Sequence, residues 1–291
     1  MLLRSLLFVP GNNLRMIVKA TTLPADAVIL DLEDAVPMMD KETARLFVRD
    51  SVKSLKSNGV TTLVRVNSLA SGLAPEDLES IISENIDGVV LPKTESKNDI
   101  SQMDSILASL ERQAEIGQGK IKLLPILETA KGVINAPEVA GGSKRIIAIS
   151  FGAVDFTRDM GSNLSKEGTE LLYARSHIAI CARAMGIQAI DSPWIDLQDS
   201  DGLVKECQTG RQLGFKGKLL IHPRQIAPVN QIFSPSENEI ERSSRIVKAF
   251  EEASARGLGA ISLDGTMIDI ANYTQAKDVL QLDALIQGKR R

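Results

Sequence analysis

The sequence predicts an α/β fold of the TIM (β/α)8-barrel class with a C-terminal helical extension. Two observations carry this: eight short apolar runs recur through residues 1–222, each followed by an amphipathic or polar stretch, and the pattern changes after His222. Length alone does not decide the architecture, because 291 residues can form one domain or two, and α/β barrels of this size often form a single unit.

The runs are Arg4–Val9, Ala27–Leu32, Thr62–Val66, Gly88–Leu91, Lys122–Leu127, Arg145–Phe151, Ile187–Ile190 and Lys218–Ile221. Most are rich in Val, Ile and Leu without strict polar alternation, the pattern of parallel strands covered on both faces. Between them, Asp40 is placed to cap a helix through Lys53 that carries Ala44, Phe47, Val48 and Val52 on one side. Gly168–Met185 sets Leu171, Ile178, Cys181 and Met185 near one face, and Gly186 is placed to stop that helix. Beyond His222, Ser236-x-x-Glu239 reads as a capping box opening a long helix with Ile240, Val247 and Phe250 in register. Gly257-Leu258-Gly259 ends it, and a brief strand-like run and a last helix to Arg291 follow. The expected division is a catalytic barrel over residues 1–230 and an extension over 231–291, packed on the barrel or on a neighbouring subunit.

Composition excludes several classes. Hydrophobic residues make up 43% and charged residues 24%, ordinary for a globular enzyme, and 34 basic against 37 acidic residues advertise neither nucleic acid nor anionic membrane as a partner. Cys181 and Cys207, the only cysteines, lie in helical patterns without zinc-ligand spacing and fit reduced thiols. The apolar opening Met1–Phe8 is too short for a signal core, and no stretch approaches the ~20 apolar residues of a membrane span, so the cytoplasm is the expected compartment.

Polar residues gather where strands end. Glu33 and Asp34 follow Val28–Leu32, Arg65 interrupts Leu63–Asn67, Lys93 follows Val89–Pro92, Glu128 ends Leu123–Leu127, and Asp155 comes just after Ile146–Phe151. In a barrel these ends share one rim, where such folds build their sites. Taken singly, each signal has a plain structural reading. An acidic residue after a strand serves as a helix cap, and Asp31 can simply pair with Arg65 or Lys93. Taken together, they form a carboxylate cluster that needs cations to stay ionised, and oxygen ligands without histidine favour Mg²⁺ or Mn²⁺. Arg65 offers the planar fork that grips a carboxylate.

Motifs throughout the chain resemble the citrate lyase beta-subunit-like group of the hydroxy-acid aldolase superfamily, which includes malyl-, citramalyl- and citryl-thioester lyases. The residues that carry the resemblance include Arg4-Ser5-Leu6-Leu7-Phe8-Val9-Pro10-Gly11, Asp31-Leu32-Glu33-Asp34-Ala35-Val36, Val64-Arg65-Val66-Asn67 and Leu91-Pro92-Lys93. Further along are Ile126-Leu127-Glu128, Ser150–Phe156, Ile221-His222-Pro223 and Gly265-Thr266-Met267-Ile268-Asp269.

The resemblance implies a magnesium ion on Glu128 and Asp155, Arg65 holding a 2-oxo acid, and Glu33 and Asp34 supporting the metal's water shell. It also implies Asp269 acting in the site of an adjacent subunit of a homo-oligomer (trimer or hexamer), and Arg4, Arg15 and Lys19 contacting coenzyme A. The implied reaction cleaves or forms a 3-hydroxyacyl-CoA, giving acetyl-CoA and a 2-oxo acid. One departure stands out: the family usually carries Glu just before the metal-binding Asp, and this chain has Val154. Two alternatives stay open. One is a subunit acting on an acyl-carrier-protein thioester within a complex. The other is a free-acid 4-hydroxy-2-oxo acid aldolase, a branch that usually relies on an early His. The only histidines here are His177, read as structural or exposed, and His222, which can approach the rim.

Overall fold

The computed structural model describes residues 1–290 and contains two compact units, Leu3–Asn230 and a second beginning at Gln231. In the first, eight parallel strands close into a barrel: β1 Ser5–Pro10, β2 Ala27–Asp31, β3 Thr61–Arg65, β4 Gly88–Leu91, β5 Lys122–Leu127, β6 Ala148–Phe151, β7 Gln188–Asp191 and β8 Gly217–Leu220. Pairing runs in sequence order, and β8 returns to β1 through Ser5 opposite Lys218. Helices cover the outer faces, which is why both faces of these strands are apolar and the runs lack alternation.

The barrel interior is a core of Leu6, Ala27, Ile29, Leu63, Val90, Leu124, Ile126, Ala148, Ile190 and Leu219. Side chains alternate with period two along a strand. The next residue on the inward face of β2, after Ala27 and Ile29, is therefore Asp31; on β3, after Leu63, it is Arg65. On β5, after Leu124 and Ile126, it is Glu128. Apolar burial below thus places a charged layer at the C-terminal rim.

The helix after β2 spans Lys41–Ser57, preceded by a 3-10 turn over Met38–Asp40. Asp40 takes the cap position, but its side chain accepts from Asn12 Nδ2 at 3.0 Å and makes no capping bond. The later helix spans Leu172–Ala184 and Gly186 follows in the left-handed conformation; Leu171, Ile178 and Cys181 are buried, whereas Met185 is exposed. Strand β6 begins three residues later than the sequence suggests. Arg145 is drawn outward to Glu111 and Asp104, so only an isolated bridge from Ile146 to Leu123 precedes the strand.

In the second unit the Ser236 capping box opens the helix Glu237–Ser254. A hairpin of Ile261–Leu263 and Thr266–Ile268 turns on Asp264 and Gly265, both at positive φ, and leads into the helix Ile270–Arg290. Ile246, Phe250, Ile268 and Ala276 form its core, with Phe250 stacked on Tyr273. Among the described residues no helix is long and apolar enough to cross a membrane.

Candidate active site

The rim chemistry starts with Asp31 and Arg65, which sit opposite each other in the β2–β3 register. Arg65 donates from Nε to Asp31 Oδ1 and from Nη2 to Oδ2, both at 2.6 Å. Its remaining nitrogen, Nη1, lies 3.0 Å from Glu33 Oε2 and 3.9 Å from Asp34 Oδ2, and its guanidinium stacks over Phe8. Burial works against this cation, but the bonds to Asp31 and the charges of Glu33 and Asp34 outweigh it and hold the guanidinium firmly protonated.

Asp31 also accepts from the amides of Glu33 and Ala35, folding the loop after β2 so that Glu33 turns inward. Beneath this loop, buried Lys41 donates to Leu32 O, Glu33 O and Asn67 Oδ1. Asn67 in turn donates to Asp77, which accepts from Arg45 Nε at 2.7 Å. Lys41, Asn67, Asp77 and Arg45 thus form a supporting network that sequence reasoning did not assign. The readable signal was Lys41 and Arg45 four residues apart on one helix face, beside the apolar Ala44 and Val48.

Glu128 and Asp155 line a cleft of about 380 Å³ together with Ser68, Lys93, Thr94 and Arg158. Glu128 is buried, and burial is the main reason its carboxyl is pushed up to about 7; the negative charges of Asp155 and Glu33 push the same way, against a hydrogen bond from the Lys93 amide and the charge of Arg65. Glu33 is raised as well, chiefly by burial, although Arg65 and Lys93 oppose the shift. Asp155 lies in the first turn of the helix Ala153–Asp159 and pairs with Arg158 Nη2 at 2.5 Å. Gly152 is required between them: a Cβ there would stand 2.6 Å from both Cβ and Oε2 of Glu128.

These residues fit a hard divalent cation. The cleft supplies carboxylate oxygens, and burial together with the charges of Asp155 and Glu33 raises the Glu128 carboxyl to about 7, a shift that a bound cation would oppose. Glu33 Oε2 is buried without a hydrogen bond. A hard ion of this kind takes one or two protein carboxylates and fills its shell with water and substrate.

Other expected residues are placed differently. Asp34 is more than half exposed, at 3.7 Å from Lys93 Nζ. Arg15 and Lys19 are exposed on the helix Leu14–Ala20 that follows β1. Arg4 precedes β1 and is therefore at the opposite end of the barrel; it is buried and forks onto Asp26 at 2.8 and 2.9 Å. Asp269 belongs to the second unit, where its Oδ1 caps the last helix by accepting from Ala271 and Asn272 amides. Val154 points out at 48% exposure. His177 stacks on Tyr173, and His222 Nδ1 accepts from the Arg224 amide in a capping turn.

Residues 4–223 match the HpcH/HpaI aldolase/citrate lyase family. The chain belongs to this family. It is similar to the citrate lyase beta subunit of Haemophilus influenzae, 40% identical over 96% of each chain. It is also similar to the human mitochondrial citramalyl-CoA lyase, 36% identical over 98% of this chain and 87% of that one. Among solved structures it resembles the protein CitE of Mycobacterium tuberculosis in complex with magnesium, acetoacetate and coenzyme A. The TM-score is 0.75 and the identity 27%, covering 97% of this chain and 98% of that one. Like its named relatives, this aldolase/citrate lyase family member is an enzyme of the lyase class.

Proposed function

We propose that this chain is a magnesium-dependent lyase that cleaves, or in reverse forms, a 3-hydroxyacyl-CoA such as malyl-, citramalyl- or citryl-CoA, yielding acetyl-CoA and a 2-oxo acid. The observation that carries this reading is the pairing of Glu128 with Asp155 in one cleft on a lyase-family barrel. The complex of the mycobacterial relative with magnesium, acetoacetate and coenzyme A supports both the metal and the thioester.

Glu128 and Asp155 would hold the ion. When bound, magnesium supplies the positive charge that makes the substrate hydroxyl acidic. Arg65, locked by Asp31, presents Nη1 to the carboxylate of the 2-oxo acid portion and orients it. Glu33 and Asp34 would accept hydrogen bonds from water near the ion when it is bound. As the hydroxyl proton passes to solvent water, the C–O bond becomes the carbonyl of the 2-oxo acid, the carbon–carbon bond breaks and its electron pair passes to the thioester α-carbon. Asp269 of a second copy donates the proton that completes the acetyl group, and removes it in the condensation direction. Arg15 and Lys19, exposed beyond β1, bind coenzyme A phosphates. Arg4 is omitted from that role because its guanidinium is buried on Asp26 at the far end of the barrel. Residues 231–291 form the extension that carries Asp269 to a neighbouring barrel in a cytoplasmic homo-oligomer.

A second reading has its own support: the relative at 40% identity is named as a subunit, which favours action within a complex, where the family resemblance implies an acyl-carrier-protein thioester. A panel of CoA and acyl-carrier-protein thioesters, assayed with and without EDTA by mass spectrometry of released 2-oxo acid, separates the two. The lyase reading expects EDTA-sensitive release from at least one CoA thioester by the chain alone. Release only from the carrier-protein thioester favours the subunit, and a flat panel overturns both.

A further inference from the structure

Lys93 has a φ of 50°, a left-handed conformation that side chains other than glycine rarely adopt. Strain of this kind persists only where surrounding structure fixes it, and it concentrates at functional sites. At this turn the Lys93 amide donates to Glu128 Oε1, 2.7 Å away, and the left-handed φ sets the course of the chain and side chain from that anchored amide. The other oxygen, Oε2, faces Gly152 and so the start of the helix that carries Asp155. The same residue's ammonium reaches across the rim and donates to Glu33 Oε1 at 2.5 Å, while Glu33 Oε2 lies beside Arg65 Nη1. Lys93 also lines the cleft.

We infer that Lys93 is a positioning residue with two separable arms. Its backbone amide holds Glu128 Oε1 so that Oε2 is the oxygen offered to the metal, and its ammonium holds Glu33 in place beside Arg65. The inference rests on the lyase reading and deepens it. A left-handed lysine does what neither glycine nor an extended lysine does alone: the backbone turn serves one carboxylate while the side chain serves another.

Two substitutions separate the arms. Lys93→Gly keeps the amide and relaxes the backbone but removes the ammonium. Lys93→Val removes the ammonium and also disfavours positive φ, so the amide leaves Glu128. Magnesium affinity by titration calorimetry and thioester kinetics are measured on both and on the wild type, with circular dichroism to confirm folding. K93G is expected to bind magnesium within about threefold of wild type, with kcat lower by about 10–100-fold. K93V is expected to lose about tenfold or more in magnesium affinity as well. Lys93→Arg, which restores a cation, recovers part of the kcat lost in K93G. If K93V does not fold, unchanged magnesium affinity with reduced kcat in K93G still supports the two-arm role. Full kcat in K93G, or magnesium binding weakened equally in K93G and K93V, overturns it. A wild type that neither binds magnesium nor releases a 2-oxo acid overturns the lyase reading and this inference with it. A wild type that does both, with variants matching it, overturns the Lys93 inference alone.

Discussion

Asp31 engages two nitrogens of Arg65, with Nε and Nη2 each 2.6 Å from a carboxylate oxygen. Asp31 is buried and Arg65 nearly so at the end of two adjacent strands, so Arg65 cannot swing freely, and only Nη1 is left to face Glu33. Asp31→Asn is expected to leave the guanidinium mispaired in a buried setting. Loss of one partner from such a pair costs about 3–5 kcal/mol. Denaturant unfolding reads the stability loss, and kcat/KM is expected to fall about 10–100-fold because Arg65 loses its fixed orientation.

The raised Glu128 carboxyl is expected to make magnesium binding pH-dependent. In the folded chain this carboxyl titrates at about 7, above its ordinary range, so folding takes up a proton there. The stability contributed by that proton is present in acid and lost as pH rises towards 7. Magnesium held by Glu128 would require the deprotonated form and so would reverse the trend. Affinity is expected to be about tenfold weaker at pH 6 than at pH 8. Thermal shift with saturating magnesium at the two pH values checks this, and the larger stabilisation belongs at pH 8.

Gly152→Ala tests the close approach between strand β6 and Glu128. The added Cβ would meet Glu128 Cβ and Oε2 at 2.6 Å, so the carboxylate must move. Magnesium affinity is expected to fall by about tenfold or more, with the barrel intact by circular dichroism.

Lys41→Met removes the cation that ties Leu32 O, Glu33 O and Asn67 Oδ1 together. Each acceptor left buried without a partner costs about 1–3 kcal/mol. A lower melting temperature and a reduced kcat are expected together, since the same three bonds support the loop that holds Glu33.

Much of this architecture was legible in the sequence, for physical reasons that also explain the gaps. Gly88–Leu91 and Lys122–Leu127 have the bounds read from their apolar runs, because Asp87 and Pro92 bound the first, and Lys122 and Glu128 mark the ends of the second. The rim residues Glu33, Arg65, Lys93, Glu128 and Asp155 were legible because a residue at a strand's C-terminal end must lie on one known side of a barrel. The same rule separates Arg4 from them, since it precedes its strand; resemblance had grouped it with the coenzyme A contacts. What pattern reading does not reach is pairing across long sequence separations. Lys218 reads as an ordinary strand residue, yet it is fully buried between Asp191 at 3.2 Å and Glu206 at 2.5 Å. The fork of Arg65 on Asp31 was foreseeable as one of two roles, and only the register of β2 on β3 brings the two together.

The central claim is that Glu128 and Asp155 hold the metal on which this lyase depends. Its most direct test is a magnesium titration by calorimetry on the wild type, Glu128→Gln and Asp155→Asn. The account predicts one site per chain in the wild type and its loss in both variants. Unchanged magnesium affinity in either folded variant would contradict it.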